Sequence, residues 1–342
     1  MRLNANHPSL RLLAWNVAGN LARLGNDPAM ARFLNTADII AFSHTGNPVN
    51  NVAPVISPEL TCLRLCSRPH VARHGGVAIY IKHWLRSYVI MECEDRESGI
   101  LWVRIRLPNG ESDVYLGAVY LPPENSTTFS ATMSGDGASC WDILQNQVST
   151  FGQRGQVIVM GDFNARTSNK WDLPNMPDLD VPRNNPYPRR ENSDQRSPNA
   201  WGWAMLALCK ASNLAIVNGR TPGDPSGATT FDPCRRRRRG RGRGAGGKGL
   251  IDYFLVSHPL LLNQEGRVHH MVDMRVVPYG ELPLQPPVRR GDRPATRNGV
   301  KFDHHPMVMV IPRAIIPQHP PHPPPPPPLL PPSTLPQPPM QG

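Results

Sequence analysis

The sequence predicts a single α/β domain, and three observations carry that prediction: eight short apolar runs of strand length, two segments with helical periodicity and end signals, and polar residues recurring where the apolar runs stop. At 342 residues the chain can bury a large core, and one domain of roughly 300 residues suits that length. The composition is locally skewed. Many of the 40 prolines fall after residue 312, and seven arginines between 235 and 243 supply most of the formal charge of +11, leaving +4 (11 − 7) for everything else. The rest of the chain reads as an ordinary, mildly basic globular protein.

The strand candidates, in order, are "LRLLAWN" (10–16), "DIIAFSH" (38–44), "GGVAIYIK" (75–82), "LWVRIRL" (101–107), "VYLGAVYL" (114–121), "QVIVMGDFN" (156–164), "LIDYFLVS" (250–257) and "MVMVI" (307–311). Their length and their β-branched and aromatic content favour strands over helices. In the fourth run Trp102, Arg104 and Arg106 alternate with Leu101, Val103 and Ile105, which predicts one wet face. "VIVM" and "LLAW" read as buried on both faces.

Helical signal is sparser. Residues 197–214 offer Asn199 as a cap, an apolar face of Trp201, Ala204, Met205 and Leu208, and Asn213 suited to a left-handed stop. Residues 22–36 form a second candidate, with Asp27 and Pro28 as cap and first turn. Residues 165–198, rich in Pro, Asn, Arg and Asp without periodicity, predict a long surface loop. The stretch 234–249 is a basic, glycine-rich insert, and 313–342 a disordered, extended proline-rich tail, so the predicted domain runs over 10–312.

The six cysteines match neither paired zinc half-sites nor a disulfide framework, which predicts a reduced, intracellular setting. No stretch approaches the ~20 apolar residues of a membrane span, so no membrane partner is expected. The proline tail fits an SH3- or WW-type partner. The arginine run fits a phosphate backbone or a nuclear-localisation patch, and equally an unordered linker.

The ends of the apolar runs carry the chemistry. Asn16 follows "LLAW", His44 follows "IIAFS", Tyr120 stands in "GAVYLPP", Asp162 and Asn164 follow "VIVM", Asp252 stands in "LIDYFL", and Asp303 and His304 precede "PMVMVI". Several such positions predict strand ends converging on one pocket. Residues 162 and 164 of an extended chain face the same side, with Gly161 allowing close backbone approach. A carboxylate that takes a proton from water, beside an amide that donates and accepts, suits activation of a nucleophile next to a bound phosphate. Asp252 can orient His304, whose imidazolium can stabilise charge on phosphate oxygen, and Asp303 can bind a divalent cation or assist the leaving group. The bland alternative for Asp162 and Asn164 is an Asx turn at a strand end.

The ordered set "WNVAG", "GGVAIYI", "VYLPP", "GDFNAR", "IDYFLVS" and "DHHP" resembles the endonuclease/exonuclease/phosphatase superfamily, which includes deoxyribonuclease I and abasic-site endonucleases. The segment 199–231 resembles more closely the endonuclease domains of LINE-type retrotransposons. The resemblance implies a four-layer α/β sandwich, two packed mixed β-sheets flanked by helices, and a monomeric DNA-nicking enzyme dependent on Mg²⁺, with Mn²⁺ as the alternative ion. It further implies that Asn16 lies in the metal and phosphate site, that Tyr120 contacts phosphate, and that Asp162 with Asn164 positions the attacking water. Asp252 would orient His304, Asp303 would bind the cation beside the leaving group, and Thr229 or Thr230 would match a substrate-side threonine. By charge alone, and not by the resemblance, Arg235, Arg236, Arg237, Arg238 and Arg239 are the candidates to bind the nucleic-acid backbone.

The match breaks at the cation. The superfamily's metal-binding glutamate falls where this sequence reads Ser43, His44, Thr45, and Ala18 stands where some relatives carry an aspartate. Imidazole in place of a carboxylate favours Zn²⁺ or Mn²⁺ over Mg²⁺. Three readings stay open: a weakened nuclease with His44 among its metal ligands, a catalytically degenerate nucleic-acid or protein binder, and a phosphatase of small phosphoesters.

Overall fold

The computed structural model describes residues 9–25, 27–46, 52–66, 75–96, 98–106, 112–124, 139–173, 189–232, 247–263, 267–269, 272–278, 281–283 and 302–312. The arginines 235–239 and the tail 313–342 lie outside the described residues.

Two six-stranded sheets form the centre of the fold. Sheet A holds β1 (Ser9–Asn16), β2 (Ile39–Ser43), β3 (Leu60–Cys66), β4 (Val77–Lys82), β11 (Asp273–Val276) and β12 (Met307–Pro312), in the order β11-β12-β1-β2-β4-β3. Sheet B holds β5 (Val89–Asp95), β6 (Ile100–Ile105), β7 (Val114–Tyr120), β8 (Gln156–Asp162), β9 (Leu214–Ile216) and β10 (Asp252–Ser257), in the order β5-β6-β7-β8-β10-β9. Each sheet contains one parallel pair, β1 with β2 and β7 with β8, and is otherwise antiparallel.

The layers follow from which side chains meet. One core cluster joins the facing sides of the sheets through Leu12, Ile79, Leu116, Met160, Phe254 and Met309. A second lies between sheet B and the helices α3 (Cys140–Gly152) and α4 (Ala200–Ser212). A third lies between sheet A and the short helices α1 (Leu21–Leu24) and α2 (Pro28–Leu34). Helix, sheet, sheet, helix is the predicted four-layer sandwich. Sheets packed on both sides explain why so many strands are apolar throughout. No described helix is long and apolar enough to cross a membrane, and the five described cysteines are free thiols.

All eight predicted strands are present. The predicted helix at 197–214 is α4, with Asn199 accepting from the Gly202 amide and Asn213 in the left-handed conformation. The candidate at 22–36 splits in two, α2 starting at Pro28 with Asp27 as its cap. Two expectations need correction. Trp102 is fully buried, because α3 covers the face that alternation left wet; its indole packs 4.8 Å from Phe151 and donates to Gln147. The described flanks of loop 165–198 are irregular but only partly on the surface: Arg189 and Glu191 are exposed, while Asp172, Arg190, Asn192 and Asp194 are buried. Arg220 grips Asp172 through two bonds of 2.6 and 2.8 Å, and Arg190 donates to the Ser168 carbonyl. Polar composition reads as exposure, but polar groups that satisfy one another can turn inward.

Candidate active site

Both parallel pairs end at the same edge of the sandwich, and their last residues form the site. In sheet B, Tyr120 pairs with Asp162, and β10 begins at Asp252 directly across from Asp162. Three polar residues therefore line up across adjacent strand ends. The approach of β8 to β7 depends on Gly161, at φ 139°, where a Cβ would lie 2.1 Å from the Val119 carbonyl oxygen. In sheet A, Asn16 ends β1 beside Ser43 of β2. The segment entering β12 brings His304 to the same place, where its carbonyl accepts a 2.8 Å bond from the Trp15 indole.

The two sheets then join through side chains. Asn16 Nδ2 donates to Asp162 Oδ2 at 2.8 Å and lies 3.2 Å from His304 Nε2, while His304 Nδ1 meets Asp252 Oδ2 at 2.9 Å. Asn16 Oδ1 accepts from the Ala18 amide at 2.9 Å, which orients the carboxamide. All four residues are buried. Asn16, Asp162, Asp252 and His304, read as convergent from separate apolar runs, form one network.

Charge in this network is strongly biased. Burial and then the neighbouring Asp252 push the Asp162 carboxyl up to about 7, against the opposing pull of His304 and its hydrogen bonds. Burial alone would lower His304, but Asp252, Asp162 and Asp303 outweigh it and raise the imidazole to about 9. The Asn16 contact works against that rise, since an N–H facing Nε2 suits a ring nitrogen that accepts. The direction is upward, because the carboxylate on Nδ1 is the closer partner.

Asn164 reaches the site by a different route from the one its spacing suggested. The strand stops at Asp162, and Asn164 is left-handed at φ 49°, so the two side chains do not share a strand face. Instead the Asn164 amide donates to Asp162 Oδ1 at 2.8 Å, and its Nδ2 donates to the Leu121 carbonyl at 2.7 Å. The Asx turn is how the site is built. It is not an alternative to it.

His44 is half-buried at φ 51°, its ring centroid 5.1 Å from that of Tyr120. Asp303 sits 4.0 Å from His304 Nε2. Thr230 is fully buried, its Oγ1 accepting from the Ile251 and Asp252 amides, so it holds the start of β10. Thr229 is half-buried beside it.

Three residues that matter here were not singled out for the site from sequence. Phe231 bridges both Gly249 and His304, with its ring 4.9 Å from the imidazole. Asn218 donates to the Asp252 carbonyl and accepts from the Phe254 amide. Asn199 was legible only as a helix cap. Each acts through tertiary contacts that no local spacing announces.

Two observations bear on a cation. The ligand atoms of Asp162, Asp252 and His304 lie within 4.8 Å of one another, a group that could hold a metal ion. Asp303 Oδ1 is a buried acceptor with no hydrogen-bond partner. The His304 imidazole lies 4.0 Å from that oxygen, too far to hydrogen-bond it, and the acids gathered around the ring could hold a divalent ion.

A model of the Endonuclease/Exonuclease/phosphatase family matches residues 13–274. Among solved structures, the endonuclease domain of TRAS1, a telomere-specific non-LTR retrotransposon, is similar with a TM-score of 0.50 and 17% identity, over 88% of this chain and 98% of that one. The AP endonuclease LMAP from Leishmania major is similar with a TM-score of 0.58 and 15% identity, over 89% of this chain and 88% of that one. No curated protein sequence matches the chain.

Proposed function

Because the chain belongs to the endonuclease/exonuclease/phosphatase family, we propose that it is a divalent-metal-dependent phosphodiesterase, a DNA-nicking endonuclease derived from a LINE-type retrotransposon. The observation that carries this reading is the continuous run of contacts from Asp162 through Asn16 and His304 to Asp252. It assembles a base, an acid and an orienting amide from four distant segments, and a purely structural role requires none of these.

In this reading Asp162, with its carboxyl poised near neutrality, accepts the proton of the attacking water, which Asn164 helps to orient. Asp252 holds His304 by Nδ1 and keeps positive charge on the ring, which offsets negative charge developing on a phosphoryl oxygen. Tyr120, next to Asp162 in register, contacts the phosphate. Asp303, with Asn16 and His44, would hold the cation, which supplies Lewis-acid charge neutralisation when bound. Mg²⁺ is the expected ion, and His44 shifts preference toward Mn²⁺. The described feet of the basic insert, Phe231 and Gly249, bridge each other beside His304. Arg235 follows Asp232 by three residues in sequence, and the charge of the arginine run favours DNA as the polyanionic partner.

A second reading, a degenerate fold that binds without cutting, is favoured by Ala18 and His44 at positions where the family resemblance calls for acids. Nicking of supercoiled plasmid with Mg²⁺ and with Mn²⁺ decides between them. Conversion to open circles that disappears in Asp162→Ala supports the hydrolase. Conversion that persists in that variant, or no conversion with either ion, refutes it.

A further inference from the structure

We propose that Asn199, the N-cap of α4, is a positioning residue of the hydrolytic centre, fixing the loop that carries Asn164 and steadies the Asp162 carboxylate. The role rests on the phosphodiesterase reading above.

A helix cap needs one acceptor, and Asn199 Oδ1 supplies it to the Gly202 amide at 2.9 Å. The residue then makes three bonds that the helix does not need. Oδ1 also accepts from the Arg166 amide at 2.8 Å, Nδ2 donates to the Asn164 carbonyl at 3.0 Å, and the Asn199 amide donates to the Arg166 carbonyl. The helix terminus is thus stitched to both ends of Asn164–Arg166. Gly202 lets the two come this close, because a Cβ there would lie 1.8 Å from the Arg166 carbonyl oxygen.

The stitched loop is one that has to be held. Asn164 sits in the left-handed region, and its amide bonds Asp162 Oδ1. Asp162 is therefore fixed at one oxygen by this loop and at the other by Asn16. If the Asn164 peptide moves, the carboxylate loses one of two restraints on its rotation. A displacement of about 1 Å at a reacting group can cost 10²-fold in rate. Only asparagine offers the required acceptor and donor on one short planar group. Aspartate lacks the donor, and serine is too short to reach the loop while capping.

The substitutions Asn199→Asp and Asn199→Ser separate the two jobs, since both residues cap helices well. In the full chain with Mn²⁺, Asn199→Asp should lower kcat about tenfold and Asn199→Ser further, with KM within about twofold of the parent. Amide exchange followed by mass spectrometry should speed up across residues 163–167 in both variants and stay unchanged across 203–212, with Tm nearly constant. Parental loop exchange in Asn199→Ser overturns the proposal, as does faster loop exchange with unchanged kcat. A parent chain that never nicks above the Asp162→Ala background defeats the phosphodiesterase reading, and with it any reaction for Asn199 to serve. A parent that nicks while both variants match it in rate and exchange defeats the Asn199 proposal alone.

Discussion

Sheet B delivers its polar residues by register, whereas sheet A, Asn16 apart, delivers its own through loops. Tyr120, Asp162 and Asp252 sit opposite one another on paired strands, so their spacing is set by the sheet itself. Beyond Asn16 and Ser43 the chain turns through Ala18, Gly19, His44 and Gly46, all at positive φ, with the Gly19 amide bonded to the His44 carbonyl. The register-built side carries Asp162 and Asp252, to which the proposal gives the proton chemistry; the loop-built side carries Asp303, which it gives to the cation, and Ala18 and His44, where the family resemblance expects acids. Loops tolerate substitution that strand ends in register do not.

If the contrast holds, damage to sheet B should be the more severe. Asp162→Ala should lower the nicking rate by about 10³-fold or more, within the range for removing a general base; single-turnover assays on plasmid would read it. Asp252→Asn should cost about 10²-fold and also release His304. That release is visible without catalysis. His304 is raised from 6.5 to about 9, so the stabilisation tied to its proton is complete below about 6.5 and lost as pH climbs toward 9. Asp162, raised from 3.8 to about 7, works in the same direction at lower pH, losing stability as it ionises. Thermal melts in EDTA should therefore fall between pH 6.5 and 9, and Asp252→Asn should flatten that fall.

On the loop-built side the expected effects are smaller and of opposite sign. His44→Glu should raise Mg²⁺-dependent nicking about tenfold while leaving the Mn²⁺ rate within about threefold, because a hard anionic ligand favours the harder ion. An unchanged Mg²⁺ rate would remove the case that lost ligands weaken this half. Smallest of all, and back on the sheet B side, Thr230→Val should destabilise the chain by about 1 to 2 kcal/mol, since two amides at the head of β10 lose their acceptor. Denaturant unfolding would measure it, with KM unaltered if Thr230 holds β10 and does not touch DNA.

Strand ends were the legible part of this molecule. Runs such as "VIVM" followed by Gly161 and Asp162 announce both a buried strand and what it presents, so Asn16, Asp162, Asp252 and His304 were readable before any coordinates. The edge strands β3, β5, β9 and β11 were not. "LTCLRLC" and "VIMECED" mix polarity because their surroundings do, with only partial burial along their length. Helix α3 was missed although Ser139 and Asp142 form a capping box, and that omission produced the error at Trp102. The Asp172, Arg190 and Arg220 cluster was misread because composition cannot distinguish polar groups that face water from polar groups that face each other.

One consequence follows from β12, which lies between β1 and β11 and completes sheet A with nearly the last described residues. The Trp15 indole and the His304 carbonyl that it binds stand 289 positions apart. During synthesis, then, the acids of the centre exist for most of the time without their imidazole. The described network is complete only once β12 docks against β1, so a chain that stops short of it lacks the imidazole on which the proposed chemistry depends.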